Sequence, residues 1–131
     1  MKKREEIREK TMQILFQMEV MKDYDYRNIT FIQENQDILD EKQALKTLDI
    51  IRDHLTEIDD RINQHSERWT TERMGKIELA IMRIATAELC YMDSIPDSVS
   101  IDEAVRIAKK YGEDRSYAFV NAVLGKIAKD K

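Results

Sequence analysis

The spacing of apolar residues is the feature of this 131-residue chain that most constrains its fold. Apolar side chains recur in steps of three and four, which places them on one side of an α-helix and does not fit the alternation of a half-buried strand. The clearest stripe predicts one long helix from Glu41 onward, and its members are Ala44, Leu48, Ile51, Leu55, Ile58 and Ile62. A similar stripe predicts a first helix over residues 3–22.

Two further segments are predicted between these stripes and the second half of the chain. Residues 29–36 indicate a short helix, because Ile29 and Ile32 are three apart before Gln36. Thr70 or Thr71 can accept backbone N–H bonds and is predicted to start a helix whose buried face runs over residues 77–92.

Start and stop signals divide the last third of the chain into two helices. Pro96 disfavours helix at the residue before it, and Ser100 and Glu103 have the spacing of a reciprocal capping box. A helix is therefore predicted to begin at Ser100 and to end at Gly112 in a left-handed cap. The last helix is predicted over residues 116–128.

Composition agrees with a helical bundle. Three Gly, one Pro, 42% hydrophobic and 37% charged residues leave few positions with turn chemistry and enough charge to cover the outer faces. We expect one all-α domain over residues 1–131, a compact bundle of six or seven helices. No apolar run approaches the roughly 20 residues that a membrane span needs, so we expect a cytoplasmic protein that does not enter a membrane.

The residue types that carry catalysis or bind metals are scarce. A carboxylate-bridged metal site in a bundle needs Glu-x-x-His, but Ile51 and Ile62 stand three residues before His54 and His65. Cys90 is the only cysteine, and its helix is typical of a small buried side chain rather than a nucleophile. We therefore expect no catalytic site, no metal and no cofactor.

Charge is unevenly distributed along the chain. Residues 1–22 carry six Lys/Arg against four Asp/Glu, and residues 101–131 carry seven against five, so each end has a net charge of +2. Residues 23–72 carry six against thirteen, a net charge of −7. If the first and last helices lie side by side, as we predict, the two ends form one basic surface on an acidic body, which a nucleic-acid site requires.

The first candidate for binding is the basic start of the chain. Arg4 and Arg8 are one helical turn apart and could reach the phosphates of one strand together, with Lys3 beside them. A solvated helix face with internal pairs, such as Glu6 with Lys10, explains the same residues equally well.

Two residues in the second half of the chain also leave alternatives open. Phe119 falls at the edge of a buried seam near Ser116, where it either stacks on a base or belongs to the core. Glu88 interrupts an apolar stripe, so its carboxylate meets either a partner protein or a buried donor.

Sequence motifs in a fixed order resemble the family of the transcription antitermination factor NusB over nearly the whole chain. They are residues 8–17 (REKTMQILFQ), Trp69, 77–85 (IELAIMRIA), 88–89 (EL), 95–96 (IP), 101–104 (IDEA), 108–112 (AKKYG) and 119–124 (FVNAVL). Each motif alone is weak, and their common order is specific.

The resemblance implies an RNA-binding helical protein that is not an enzyme. On the family pattern it would bind single-stranded boxA RNA together with the ribosomal protein NusE, in a complex on transcribing RNA polymerase. The RNA contacts implied are Lys3, Arg4, Arg8, Ser116 and Phe119. Glu88 corresponds to a residue of the surface that faces NusE.

Four residues depart from the family pattern, and one alternative function remains. Glu5 and Glu6 stand where further basic residues are common, Ala87 replaces a frequent aromatic, and Arg115 replaces a frequent acidic residue. The alternative is a helical protein-interaction adaptor that binds no nucleic acid. The sequence leaves open whether the free chain forms a homodimer.

Overall fold

The computed structural model describes residues 3–28 and 36–131 of the chain. Within those residues the regular elements are all helical, as predicted, and the helix expected over residues 29–36 lies almost wholly outside them. The elements are α1 (Arg4–Met21), a 3₁₀ turn (Tyr26–Asn28), α2 (Gln36–Leu39), α3 (Lys42–Asp53), α4 (Leu55–His65), α5 (Lys76–Tyr91), α6 (Asp97–Tyr111) and α7 (Ser116–Asp130).

Helix α5 is the centre of the fold. It is buried on all sides from Leu79 to Leu89, and it packs against α1, α3, α4, α6 and α7. Ala80, Ala85 and Ala87 lie within this buried stretch, and such small side chains allow neighbouring helices to approach closely. A helix with apolar residues on every side is typical of one that other helices enclose. The polar residues of this buried stretch are Arg83, Thr86 and Glu88.

The single long helix predicted after Glu41 is wrong, because the chain bends at His54 between α3 and α4. His54 has φ −124° and ψ 26°, and its ring stacks on Tyr91 of α5 with the ring centroids 4.4 Å apart. Both segments bury their apolar residues against the same helix, so the stripe continues across the bend. Apolar periodicity identifies the buried face of a helix and does not show whether the helix is straight.

The predicted starts of two helices were also wrong. Helix α6 begins at Asp97 with Pro96 as its N-cap, since proline has a suitable φ and needs no partner for a backbone N–H. Ser100 lies inside that helix, where it is buried. Helix α5 begins after Gly75, while the carbonyl of Thr70 closes a preceding turn by accepting the N–H of Met74 at 2.9 Å.

Gly112 ends α6 in an extended conformation (φ −83°, ψ 174°), not in the predicted left-handed one. Glycine is required there for another reason: a Cβ atom would collide with the Ser116 hydroxyl and would lie 2.7 Å from the Ala108 carbonyl oxygen. The left-handed residue is Arg115, with φ 67°, immediately before α7.

A buried ionic network fixes α1 and α4 to α5. The guanidinium of Arg83 donates to Glu19 at 2.8 Å and to Asp59 at 2.7 Å, and Glu19 also accepts from Lys22 and from the Tyr24 hydroxyl. Burial alone would raise the pKa of Glu19, but the hydrogen bonds from Lys22, Tyr24 and Arg83 outweigh it and lower the pKa to about 2.

This shift predicts a loss of stability in acid. A carboxylate with a lowered folded-state pKa stabilises the fold above its ordinary pKa of 4.5, and the effect disappears as the pH falls through about 2. Glu19→Gln should cost up to about 3 kcal/mol at pH 7 and reduce the further loss between pH 5 and pH 2.5. Urea unfolding at pH 5 and pH 2.5 measures this loss of stability, and Glu72→Gln on the surface is the control. Equal pH dependence of the unfolding free energy in wild type and Glu19→Gln would contradict the prediction.

Candidate nucleic-acid interface

Arg8 and Glu88 form an ion pair in the interior of the protein. Their side chains are 5% and 1% exposed, and the guanidinium donates twice, from Nε to Oε2 at 2.9 Å and from Nη2 to Oε1 at 3.1 Å. The hydroxyl of Ser100 donates to the same carboxylate at 2.8 Å, and Glu103 lies 3.6 Å from the guanidinium. The pair therefore joins α1 to α5 and α6.

This arrangement answers one of the alternatives that the sequence left open, because Glu88 meets a buried donor. The contacts implied for Arg8 with RNA and for Glu88 with a partner stay predictions. Neither side chain presents a free charge at the surface, and either contact would require the pair to separate. A separated pair leaves an uncompensated charge in the interior, so we assign these two residues to holding the helices together.

Lys3 and Arg4 are placed differently. Both are exposed at the start of α1, and no described residue forms an ion pair with either side chain. Exposed, uncompensated cations are suited to phosphate contacts, because they release counterions without first breaking an internal pair.

Ser116 and Phe119 lie at the start of α7, where they line an open cleft of about 470 Å³. The opposite wall comes from the residues that precede and begin α5. The Ser116 hydroxyl is buried and has no hydrogen-bond partner among the residues that the structure describes, and Phe119 is half-buried. The structure thus brings these two predicted residues together in one concave surface.

Sequence reasoning missed the contribution of Trp69 to this cleft. Trp69 lines this cleft with 47% of its surface exposed. The charged residues of the lining are Arg68, Arg73 and Arg115 together with Glu78, Glu113 and Asp114. An exposed tryptophan beside arginines is a common arrangement for binding bases or peptides. The signal in the sequence was a tryptophan with an arginine on one side and another four residues later, outside any apolar stripe.

The first and last helices do not lie side by side as predicted. Helix α1 packs chiefly against α5 and α3, whereas α7 packs chiefly against α6, α5 and α4. Helix α6 reaches both of them: Arg106 and Lys110 donate to Glu9 of α1 at 2.7 Å each, and the Tyr111 hydroxyl donates to Glu9 at 2.8 Å. The two predicted groups of RNA contacts are therefore connected by the basic face of α6.

Glu9 is the anchor of this connection. Burial would raise its pKa, but the hydrogen bonds from Lys110, Arg106 and Tyr111 lower the pKa to about 2, so Glu9 stays ionised at neutral pH. Glu9 thereby neutralises part of the positive charge that α6 presents.

The described residues form neither a metal-binding cluster nor a membrane-spanning helix. In the stretches 3–28 and 36–131 there is no group of three or more His, Cys, Asp or Glu arranged to hold a metal ion. None of the helices in those stretches has the length and apolar character that crossing a bilayer demands.

Comparisons with known proteins agree on one family. The model of the NusB family matches residues 5–129. Transcription antitermination protein NusB of Agathobacter rectalis is 42% identical over 95% of this chain and 98% of its own length, and that of Clostridium tetani is 34% identical over 97% and 98%.

Solved structures show the same likeness. NusB of T. maritima superimposes with a TM-score of 0.82 at 34% identity, covering 98% of this chain and 92% of that one. A structure of the antitermination factors NusB and NusE in complex with double-stranded RNA matches with a TM-score of 0.77 at 25% identity, covering 98% and 97%.

The interior position of Arg8 and Glu88 predicts a large effect on stability. Glu88→Leu should destabilise the protein by roughly 3–5 kcal/mol because it leaves the Arg8 guanidinium buried without a counter-charge. Adding Arg8→Met should restore most of that stability, since it removes the stranded charge. Urea unfolding of the two single variants and the double variant measures the coupling, and effects that simply add would contradict a buried pair.

Asp25→Asn serves as the control for this experiment. It breaks the ion pair of Asp25 with Arg27, whose atoms are 2.9 Å apart but whose arginine is 66% exposed. Water already screens that pair, so we expect little change in the free energy of unfolding.

Proposed function

Because the chain belongs to the NusB family, we propose that it is an RNA-binding transcription antitermination factor that acts with the ribosomal protein NusE. The resemblance seen in the motifs is confirmed by the family match and by relatives that align over nearly their whole length. The RNA we propose is single-stranded boxA, and the outcome is processive transcription of ribosomal RNA operons. Action in the cytoplasm, in a complex with RNA polymerase, follows from this role.

The observation that carries the proposal is an aromatic cleft at the start of α7, on a fold shared with a NusB–NusE–RNA complex, with exposed cations at the start of α1. Lys3 and Arg4 would contact phosphates, since they are exposed and carry no described ion pair. Phe119 would stack on a base at the edge of the cleft, and the Ser116 hydroxyl would complete its hydrogen bonds with the RNA. Trp69 faces the same cleft and adds a second ring.

The charge of this chain favours a basic protein partner. The middle of the chain is strongly acidic, with thirteen Asp/Glu against six Lys/Arg in residues 23–72, and NusE is a basic ribosomal protein on the family pattern. We propose that Glu88 supports the NusE-facing surface from within, by holding α5 to α1 through Arg8 and to α6 through Ser100. The proposed role is binding, with no catalytic step.

The RNA contacts can be tested by charge reversal and by removal of one ring. Lys3→Glu combined with Arg4→Glu should weaken binding of labelled boxA RNA, measured by fluorescence anisotropy with NusE present. It should also lower the slope of log K against log salt by about 0.7 for each phosphate that the protein no longer neutralises. Phe119→Ala should cost about 1–3 kcal/mol with little change of slope, because stacking releases no counterions.

Lys126→Glu combined with Lys129→Glu is the matched control. It changes the net charge equally on exposed residues of α7 that lie outside the proposed surface. A scrambled RNA tests specificity: equal affinity for boxA and scrambled RNA, with and without NusE, would favour a protein-interaction adaptor over this proposal.

A further inference from the structure

We propose that Lys109 and Tyr117 form an additional RNA contact, in which a base stacks on the Tyr117 ring and Lys109 binds a neighbouring phosphate. This inference rests on the proposed RNA-binding function and extends it to the surface between the two predicted groups of contacts. Helix α6 reaches both α1 and α7, so its surface offers a route for a strand that touches the starts of both helices.

The basic residues of α6 are not equivalent. Arg106 is held by Glu9 at 2.7 Å and by Glu103 at 2.8 Å, and Lys110 is held by Glu9 at 2.7 Å. These carboxylates neutralise both cations, so little counterion remains to be released from either when RNA binds. Their contacts join α1 to α6 and serve the fold.

Lys109 stands apart from its neighbours. It is exposed, and no carboxylate in residues 3–28 or 36–131 lies within 4 Å of its ammonium group. The ammonium instead lies 5.0 Å from the centre of the Tyr117 ring. A cation held over an aromatic ring keeps its full charge while the ring restricts its position, so Lys109 presents an oriented and uncompensated charge to solvent.

Tyr117 has the complementary properties. It is a large ring with 40% of its surface exposed, immediately after Ser116 in the first turn of α7. Successive residues of an α-helix are about 100° apart, so Tyr117 and Phe119 point to nearly opposite sides of this turn. Phe119 faces the cleft and Tyr117 faces the basic side of α6.

These positions define a path for a single strand. A strand leaving the cleft at Phe119 would pass over the start of α7, where the helix dipole favours negative charge, and meet Tyr117 and Lys109 next. Beyond them lies the face of α6 that reaches the start of α1 through Arg106, whose Nη2 donates to the Glu5 carbonyl at 3.2 Å. Stacking on alternate sides of one helical turn is compatible with unpaired bases.

The test compares four variants with wild type, using a labelled single-stranded boxA oligonucleotide, saturating NusE and a series of salt concentrations. Lys109→Gln should lower the slope of log K against log salt by about 0.7. Lys110→Gln should lower it by less than half as much, because Glu9 already neutralises Lys110. Tyr117→Ala should weaken binding about fivefold to a hundredfold, whereas Tyr117→Phe keeps the ring and should bind like wild type.

A second measurement uses the wild-type chain and so does not depend on how the variants fold. Ultraviolet cross-linking to 5-bromouridine-substituted boxA RNA, read by mass spectrometry, should modify Tyr117. Wild-type binding with unchanged slopes and affinities in the variants, or cross-links at Phe119 and none at Tyr117, would overturn this inference and leave the proposed function intact. Absence of wild-type RNA binding would overturn both.

Discussion

A charge buried in a helical bundle must be neutralised where it lies, and at Arg8 this requirement determines how three helices meet. The guanidinium and the Glu88 carboxylate make two hydrogen bonds across 80 positions of sequence, and Ser100 contributes a third from α6. Because each partner alone would be costly to bury, α1 can dock on α5 and α6 only where these groups coincide. The start of α1, with its exposed cations, is positioned as a consequence.

The Arg83 network does the same at the other end of the contact between α1 and α5. Arg83 reaches Glu19 near the end of α1 and Asp59 in α4, so the two ionic clusters fix an antiparallel arrangement at both ends. Between them the buried side chains of α1 are mostly apolar, such as Met12, Leu15 and Met18. Apolar side chains alone can pack in several registers. Directional hydrogen bonds to charged groups supply the register that the hydrophobic stripes lack.

The sequence predicted the helices well and their exact limits less well, for reasons visible at particular residues. The stripe from Ala44 to Ile62 identified a buried face, but the bend at His54 depends on stacking against Tyr91, far away in the chain. Ser100 and Glu103 matched a capping pattern, yet Pro96 supplies the cap and Ser100 turns inward to Glu88. Where a local sequence pattern had two interpretations, tertiary contacts determined which structure formed.

The residues of the candidate site also differ in how far the sequence predicted their positions. Ser116 and Phe119 are close in sequence and share a motif, so their joint position could be anticipated. Arg8 looked like its neighbour Arg4 on a helical wheel, and only the fold shows that one points inward and the other outward. Trp69 and Lys109 gain their importance from neighbours in space, Phe119 across the cleft and Tyr117 across the turn.

The junction of α6 and α7 has an evolutionary implication. At Gly112 even one methyl group would strike a backbone carbonyl as well as Ser116, so substitution there would force the two helices apart. The backbone of this corner therefore tolerates few substitutions, whereas the exposed side chains of Glu113, Asp114 and Ala118 meet no such steric limit. Related proteins could therefore differ in ligand preference through substitutions of these exposed side chains, while the backbone of the corner stayed the same.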